Sequence, residues 1–400
     1  MTPHEGILIV GGSAAGLSAA DGLREGGYQG PVTVLNEETR APYDRPTVSK
    51  GLLVGEGAPE FMDLRSTERL EETNITLRSG ETAAGLDIDR HYLITMNGEP
   101  MPWESIIIAT GARARTIRTT DGKPLPVLRT ASNLIALRAA LTVHRRIALV
   151  GAGFIGLEVA SGLAESGVIV DVFDNKRLPL EPLIGPEIAG FLQELHASRG
   201  VNMHGNITLS AITGDEGEYV LHFSDGSSHQ TPLVLVGIGV EPNVDWLVNS
   251  GVELSDGVVT DEFGRTNVAN VWAAGDVAAL EHPLLESRSR VEHWTHAIEH
   301  GRRVGLNIAR GDLVPFTTPP YFWSDQYGMR FHSYGRRRPE DDVVFVKGSP
   351  SQENFLALFG SHGEFHGLFS NGYEQLLRPY RKLLERGASF DEACTHITAR

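Results

Sequence analysis

Two glycine-rich turns, each directly behind a short apolar run, restrict what this 400-residue chain can become more than any other feature. Ile7-Leu8-Ile9-Val10 leads into Gly11-Gly12-Ser13-Ala14-Ala15-Gly16. Ile147-Ala148-Leu149-Val150 leads into Gly151-Ala152-Gly153-Phe154-Ile155-Gly156, which begins 140 residues later. Behind each turn the pattern predicts a helix, from about Ala15 to Glu25 and up to Ser166 with Gly167 as its stop. A strand follows each, Val32–Leu35 and Val168–Phe173. Strand, tight turn, helix and strand within about 30 residues make a βαβ unit.

The turns carry chemistry as well as shape. A dinucleotide pyrophosphate is held by backbone N–H groups at a helix N-terminus, where side chains would block its approach. Hence the spacing G-x-G-x-x-G, with an acid about 20 residues on for the ribose hydroxyls. The second turn satisfies it through Gly151, Gly153 and Gly156, and Asp174 closes the next strand. That acid favours NAD, since it would repel the extra phosphate of NADP, although Lys176 and Arg177 follow closely and weaken the preference. The first turn departs: Ser13 stands where the second glycine belongs, with a hydroxyl that can itself meet a phosphate, and Glu37 ends the following strand. Two cradles imply two dinucleotides whose reactive rings meet, and the simplest chemistry for them is hydride transfer between a nicotinamide and a flavin.

The remaining pattern is coarser. A helical stretch lies near Thr67–Glu72, a hairpin around Asn97-Gly98, and a strand at Ile106–Ala109. Ile188, Phe191, Leu192 and Leu195 mark one helix face ended by Gly200. Alternation in Tyr219–Ser224, with a turn at Asp225-Gly226, indicates an antiparallel meander before a strand at Pro232–Gly237. From Asn267 the first half resumes, with a helix from about His293 to Arg310 and a linker at Pro319-Pro320. Strands near Val343–Lys347 and Phe355–Phe359 follow, and a helix from Tyr373 to Arg386, kinked by Pro379 and stopped by Gly387, is expected as the last element. The fold class expected is α/β, with two Rossmann-like dinucleotide-binding domains and a C-terminal α+β domain. The boundaries expected are 1–112 with 243–318 for FAD, 113–242 for NAD, and 319–400 for the last domain.

Composition excludes several functions. With 35 Lys and Arg against 51 Asp and Glu, the formal charge of −16 disfavours nucleic acid as a partner. The single cysteine, Cys394, rules out an intrachain disulfide, a Cys-rich zinc site and a CxxC redox pair. No apolar run approaches the ~18 residues of a membrane span, and Met1–Glu5 lacks the basic region of a secretory signal, so a soluble, cytoplasmic protein is expected. His293, His296 and His300 fall on one helix face, but no carboxylate or cysteine completes a metal set. They are read as ordinary helix-surface or flavin-facing histidines, and no metal is expected.

Further motifs narrow the class. Ile106-Ile107-Ile108-Ala109-Thr110-Gly111, Gly237-Ile238-Gly239-Val240-Glu241-Pro242-Asn243 and Ala274-Gly275-Asp276 are linking motifs of two-dinucleotide flavoproteins. Together with Tyr43-Asp44-Arg45-Pro46-Thr47-Val48-Ser49-Lys50 and Gly153-Phe154-Ile155-Gly156-Leu157-Glu158, they make the chain resemble the oxygenase-coupled NADH-dependent ferredoxin reductases, the putidaredoxin reductase and biphenyl dioxygenase reductase type. The resemblance runs from about Ile7 to the C-terminal helix.

It implies roles for matching positions. Lys50 is placed near flavin N5, with Glu158 beside it, as the catalytic pair. Asp276 is assigned to the FAD ribityl chain, Arg129 to FAD, and Trp294 to the start of a helix aimed at the flavin pyrimidine. The implied FAD set also includes Gly11, Ser13, Ala14, Ala15, Gly16, Glu37, Arg45, Ala83, Ala109, Thr110, Gly111, Gly275 and Trp323. The implied NAD set is Gly151, Gly153, Phe154, Ile155, Gly156, Glu158, Asp174, Gly237, Ile238 and Gly239. Trp323 lies in Tyr321-Phe322-Trp323-Ser324-Asp325-Gln326-Tyr327, which resembles the stretch near the flavin edge, where an aromatic can shape the electron route; Phe322 fits a ring-burying strand at least as well.

The lone cysteine sharpens the activity. Glutathione-reductase-like relatives pass electrons to a disulfide beside the flavin, and NADH oxidases and peroxidases of similar fold need one cysteine near the stretch that here reads Ala41–Pro46. This chain has neither, so electrons must leave the flavin directly, to an external acceptor. The acceptor expected is a small iron–sulfur ferredoxin that supplies a P450 or a Rieske-type oxygenase. Docking needs a local basic surface: Arg65 with Arg69, Arg302-Arg303 with Arg310, or Arg336-Arg337-Arg338, of which Arg65 and Arg310 resemble family docking positions. The alternatives are an NADH-dependent reductase of rubredoxin, a quinone or monodehydroascorbate, and a flavin-dependent protein whose redox state alters a binding interface.

Overall fold

The computed structural model describes residues 6–285 and 287–396, which divide into two compact units. The first unit comprises 1–44, 61–113 and 241–321. Its centre is a five-stranded parallel sheet in the order Val271–Ala273, Ser105–Ile108, Ile7–Val10, Val32–Asn36, Ile75–Ser79. Ile9 pairs with Val34 on one side and Ile107 on the other, and all of Ile7–Val10 is buried. That is why the strand reads as an unbroken apolar run: a parallel strand covered on both faces has no solvent side to alternate with. One face carries the helices Ala14–Glu25 and Trp294–Arg310. The other carries Leu86, Leu93, Met101 and Trp103 from the Ala83–Asp87, Tyr92–Thr95, Pro100–Pro102 region.

The two helices cross with their backbones almost touching. A Cβ at Gly301 would lie 2.1 Å from the Ala15 carbonyl oxygen, one at Gly305 2.1 Å from that of Ala19, and one at Gly22 2.3 Å from that of Arg302. Glycine at these three places lets Trp294–Arg310 lie directly along the helix that leaves the first glycine turn.

The second unit comprises 45–60, 114–240 and 322–400. It repeats the βαβ plan in a four-stranded parallel sheet, ordered Asn202–His204, Ile169–Phe173, Arg146–Val150, Val234–Val236. The meander expected around Tyr219 is the antiparallel sheet Leu209–Thr213, Tyr219–Phe223, Ser228–Thr231. The C-terminal part is a five-stranded antiparallel sheet, ordered Tyr321–Gln326, Met329–Gly335, Glu364–Asn371, Phe355–Ser361, Asp342–Gly348. Segment 45–60 is tied to this unit by Arg138, whose guanidinium donates to the carbonyls of Leu52, Gly55 and Gly57.

The α/β class is as expected from the sequence, with one correction at the C-terminal end. Helix Glu374–Glu385, which carries Pro379 inside it, is not the last element: Phe390–Thr395 forms a further short helix. Ser389 accepts the Glu392 N–H as its N-cap, and Ser-x-x-Glu is a helix-start signature that was readable in the sequence. Among the described residues no helix is long and apolar enough to cross a membrane.

Candidate functional site

In the first unit the glycine turn leaves the sheet between Val10 and Ala14. Gly11 adopts φ +117°, and a Cβ there would sit 2.2 Å from the Ala109 carbonyl oxygen. At Gly16 it would meet the Gly11 carbonyl oxygen at 1.8 Å. Both glycines are thus demanded by the backbone. Ser13 is the N-cap of the helix, yet its side chain makes no cap bond, which leaves the hydroxyl for a ligand at the helix N-terminus. No acidic residue stands in that helix's first turn to oppose an anion.

Further predicted residues converge on this cradle. A Cβ on Gly275 would lie 2.7 Å from that of Ala15 and 3.5 Å from that of Ala297, so the Gly275-Asp276 turn, the cradle helix and the first turn after Trp294 meet. Ala109 donates to the Val10 carbonyl. Thr110 and Gly111 are clasped by Asn243: Thr110 Oγ1 donates to its carbonyl at 2.8 Å, Asn243 Nδ2 donates back to the Thr110 carbonyl at 2.9 Å, and its N–H donates to Gly111. Glu37 is exposed at the end of its strand, and Ala83 is half-buried against the sheet face that holds Trp103.

Behind the Gly275 turn stands a group of histidines. His300 Nδ1 accepts the Gly275 N–H at 3.3 Å, and its ring and that of His296 pack against Phe316 at 5.0 and 5.1 Å. His296 and His300 are buried, which removes the helix-surface alternative of the sequence reading. Burial pushes the His300 imidazole down to about 3 and that of His296 well below its ordinary value. Among the described residues no group of three or more His, Cys, Asp or Glu is placed to hold a metal ion.

In the second unit the cradle lies between Val150 and Phe154. A Cβ on Gly151 (φ +107°) would be 2.3 Å from the Gly237 carbonyl oxygen, and one on Gly156 2.4 Å from that of Gly151. Gly153 differs: its Cβ would meet nothing closer than the Gly237 carbonyl oxygen at 4.0 Å. The protein therefore does not need glycine there, and the open space is what an approaching pyrophosphate requires. The same reasoning explains why Ser13 is tolerated at the matching place in the first turn. Gly237, Ile238 and Gly239 flank this cradle, with Ile238 exposed. Asp174 closes it: one carboxylate oxygen accepts the Ala152 N–H at 2.6 Å and the other accepts the Lys176 N–H at 2.8 Å. Ala152, Asp174, Lys176, Arg177 and His204 line a hollow at this edge.

The same unit assembles the expected catalytic pair. Glu158 is buried on the helix Phe154–Glu165, two residues past Gly156, and forms an ion pair with Lys50. Ser49 Oγ donates to one Glu158 oxygen at 2.6 Å; Ser324 Oγ and the Asp325 N–H donate to the other at 2.9 and 3.1 Å. Lys50 Nζ also lies 3.7 Å from the Asp325 carboxylate, which Arg330 holds at 2.6 Å. Ser49 and Ser324 were not singled out from the sequence, although both lie in motifs quoted for their neighbours. Arg45 Nη1 donates to the Arg129 carbonyl at 2.8 Å, so these two residues meet. Phe322 is half-buried with its ring 4.5 Å from Phe154, and Trp323, the next residue of the same strand, is also half-buried. Of the basic docking candidates, Arg65 pairs with Asp21, Arg302 with Glu25 and Arg338 with Glu364, while Arg310 is exposed at the end of its helix.

A fold with two such cradles, their glycines demanded by backbone contacts and the second open at Gly153 where a pyrophosphate enters, defines an oxidoreductase of the two-dinucleotide type. The chain belongs to the pyridine nucleotide-disulphide oxidoreductase family, matched over residues 6–301, and residues 321–396 match the family described as Reductase C-terminal. Membership implies FAD and a pyridine nucleotide. The chain is 34% identical over 366 residues (90% of this chain, 88% of the relative) to the 5,5'-dehydrodivanillate O-demethylase ferredoxin reductase subunit of Sphingobium sp. strain SYK-6. It is 28% identical over 367 residues (90% and 86%) to putidaredoxin reductase CamA of Pseudomonas putida. Its fold is similar to the ferredoxin reductase for the CYP199A2 system from Rhodopseudomonas palustris, with a TM-score of 0.91, 29% identity and 96% of each chain covered. It is also similar to the reductase in the covalent putidaredoxin reductase–putidaredoxin complex, with a TM-score of 0.89, 25% identity, and 96% and 94% covered. These relatives agree with the resemblance drawn from the motifs.

Proposed function

We propose that this protein is an FAD-dependent NADH:ferredoxin oxidoreductase, cytoplasmic, supplying a P450 or a Rieske-type oxygenase through a small iron–sulfur ferredoxin. In this reading residues 1–112 and 243–318 bind FAD, 113–242 bind the nicotinamide coenzyme, and 319–400 complete the reductase. When bound, the nicotinamide supplies a hydride and the flavin takes both electrons and releases them singly.

The chain's own residues bind and orient. The turns Gly11–Gly16 and Gly151–Gly156 offer backbone N–H groups at helix N-termini to the two pyrophosphates. Asp276 takes sugar hydroxyls of FAD, and Arg45, Arg129, Trp294 and Trp323 complete its contacts. Lys50 supplies the cation that favours added charge at flavin N5, and Glu158 holds that lysine in place with its carboxylate saturated by donors. The observation that carries the reading is this pair in a chain whose single cysteine, Cys394, is remote in sequence from both turns. With no thiol relay available, electrons are handed to an external acceptor.

NADH is preferred because Asp174 presents a carboxylate to the coenzyme's ribose. Lys176, Arg177 and His204 at the same hollow favour some tolerance of NADPH. Docking of the ferredoxin is assigned to the surface near Arg65 and Arg310. Anaerobic titration of the purified protein with NADH and NADPH, read by visible spectroscopy, tests the first half. Bleaching of a flavin spectrum by NADH at lower concentration than by NADPH is expected, and a protein that neither contains nor takes up flavin overturns the reading. Turnover rates with ferredoxin, rubredoxin, a quinone and monodehydroascorbate test the second half; ferredoxin must lead.

A further inference from the structure

Behind Glu158 lies a chain of buried polar groups that hydride transfer between two dinucleotides does not by itself require. Ser324 Oγ donates to Glu158 Oε1 at 2.9 Å, and Gln326 Nε2 lies 3.0 Å from Ser324 Oγ. Gln326 Oε1 lies 2.9 Å from His196 Nε2, and His196 Nδ1 lies 3.0 Å from the Tyr327 hydroxyl. Ser324, Gln326 and His196 are essentially inaccessible to solvent, and Tyr327 is buried.

The direction of every link follows from the first one. An ionised carboxylate only accepts, so Ser324 must spend its single proton on Glu158. Its oxygen can then only accept, which turns the Gln326 amide NH₂ towards it and the amide oxygen towards His196. That oxygen requires a proton on His196 Nε2, so Nδ1 carries a lone pair and Tyr327 must donate to it. Burial agrees, pushing the His196 imidazole down to about 4 and so keeping it neutral, with one proton to place.

A second observation bears on Tyr327. It and Gly328 both have positive φ, +51° and +74°, and form the two-residue turn between Tyr321–Gln326 and Met329–Gly335. Such turns favour Asn, Asp or Gly, and a bulky aromatic in the left-handed region is uncommon. The hydroxyl bond to His196, with the Arg199 guanidinium 5.5 Å over the ring, gives a reason for a tyrosine there.

We propose that Tyr327, His196 and Gln326 are positioning residues for the Lys50–Glu158 pair, acting through a hydrogen-bond relay whose donors all point towards Glu158. The proposal rests on the reading of Lys50 and Glu158 given above. The relay fixes the Ser324 proton on Glu158, so the carboxylate presents one defined orientation to Lys50, which stands just before the short helix Gly51–Val54. Helix Pro186–Ser198, which carries His196, is thereby coupled to the active site without touching it.

Two measurements test this on the full-length holoenzyme. Proton–nitrogen correlation spectra of ¹⁵N-histidine-labelled protein are expected to show His196 neutral, with its proton on Nε2, from pH 6 to 8. A proton on Nδ1, or titration within that range, overturns the relay. Gln326→Glu keeps the shape but turns the donor beside Ser324 into an acceptor, which competes for the Ser324 proton. Stopped-flow reduction by NADH is expected to show a limiting rate about tenfold lower, with NADH affinity changed less than about twofold. Tyr327→Phe, which deletes only the terminal hydroxyl, serves if that variant fails to fold: a displaced His196 Nδ1 resonance and a rate about threefold lower are expected. Wild-type rates in either folded variant refute the relay. Glu158→Gln separates the two levels: if it also reduces at the wild-type rate, the reading of Lys50 and Glu158 is what failed.

Discussion

Acidification from pH 7 to pH 5 should weaken the first unit by an amount that the histidines behind Gly275 set. His300 is held down to about 3 and His296 well below its ordinary value, first by burial and then by neighbouring imidazoles, that of His282 in both cases. In the unfolded chain both titrate near 6.5. A folded value depressed below the unfolded one gives stability that is complete above 6.5 and is lost as pH falls towards the folded value. At pH 5 the unfolded chain gains about 2 kcal/mol from protonating each ring while the folded unit gains nothing, about 4 kcal/mol for the two. Against a typical total of 5–15 kcal/mol this is a large fraction, worth about 10 °C in melting temperature for a unit of this size. His300→Asn keeps an acceptor for the Gly275 N–H but removes one titrating ring, and should halve the pH-dependent loss. Denaturant unfolding of wild type and variant at pH 7 and pH 5 measures it. Equal pH dependence in the two proteins, or a His300 resonance titrating near 6.5 in the folded state, would refute the reasoning.

Further outcomes are expected from the same geometry. Gly153→Ala should leave the melting temperature unchanged, because its Cβ meets only an oxygen at 4.0 Å, yet weaken NADH binding about tenfold in a fluorescence titration by narrowing the pyrophosphate's approach. Gly301→Ala should do the opposite, since its Cβ would fall 2.1 Å from the Ala15 carbonyl oxygen: a loss of about 1–3 kcal/mol in denaturant unfolding and poorer FAD retention. Lys50→Met should lower the limiting rate of NADH-driven flavin reduction at least about tenfold, read by stopped flow, since Glu158 is then left buried without its cation. Arg310→Glu should slow ferredoxin reduction while NADH-to-ferricyanide activity stays intact, and equal loss in both assays would argue against docking there.

Much of the frame was legible because it depends on local rules. The buried runs Ile7–Val10 and Ile147–Val150 announce themselves as apolar stretches, and the turns behind them as glycines. Strand Ile75–Ser79 escaped notice because it is an edge strand with only Ile75 buried, so no alternation marks it. Helix Phe390–Thr395 escaped because its six residues are too short for an apolar face, despite the cap at Ser389. The burial of the histidines behind Gly275 was not legible, because a helix pattern cannot say that Phe316 will cover them.

What one-dimensional reading settled was backbone chemistry and inventory: which turns must be glycine, where a helix begins, and that one thiol cannot make a relay. Those follow from the residues themselves, whatever surrounds them. Tertiary structure alone decided which side chains meet. Ser49 and Lys50 reach Glu158 across 109 and 108 positions, and Ser324 across 166. It also decided that Gly151 is crowded while Gly153 is open, although both are glycines of one turn. Proximity between distant segments is a product of how sheets and helices pack, and only where they pack is a carboxylate shielded from water and its donors fixed.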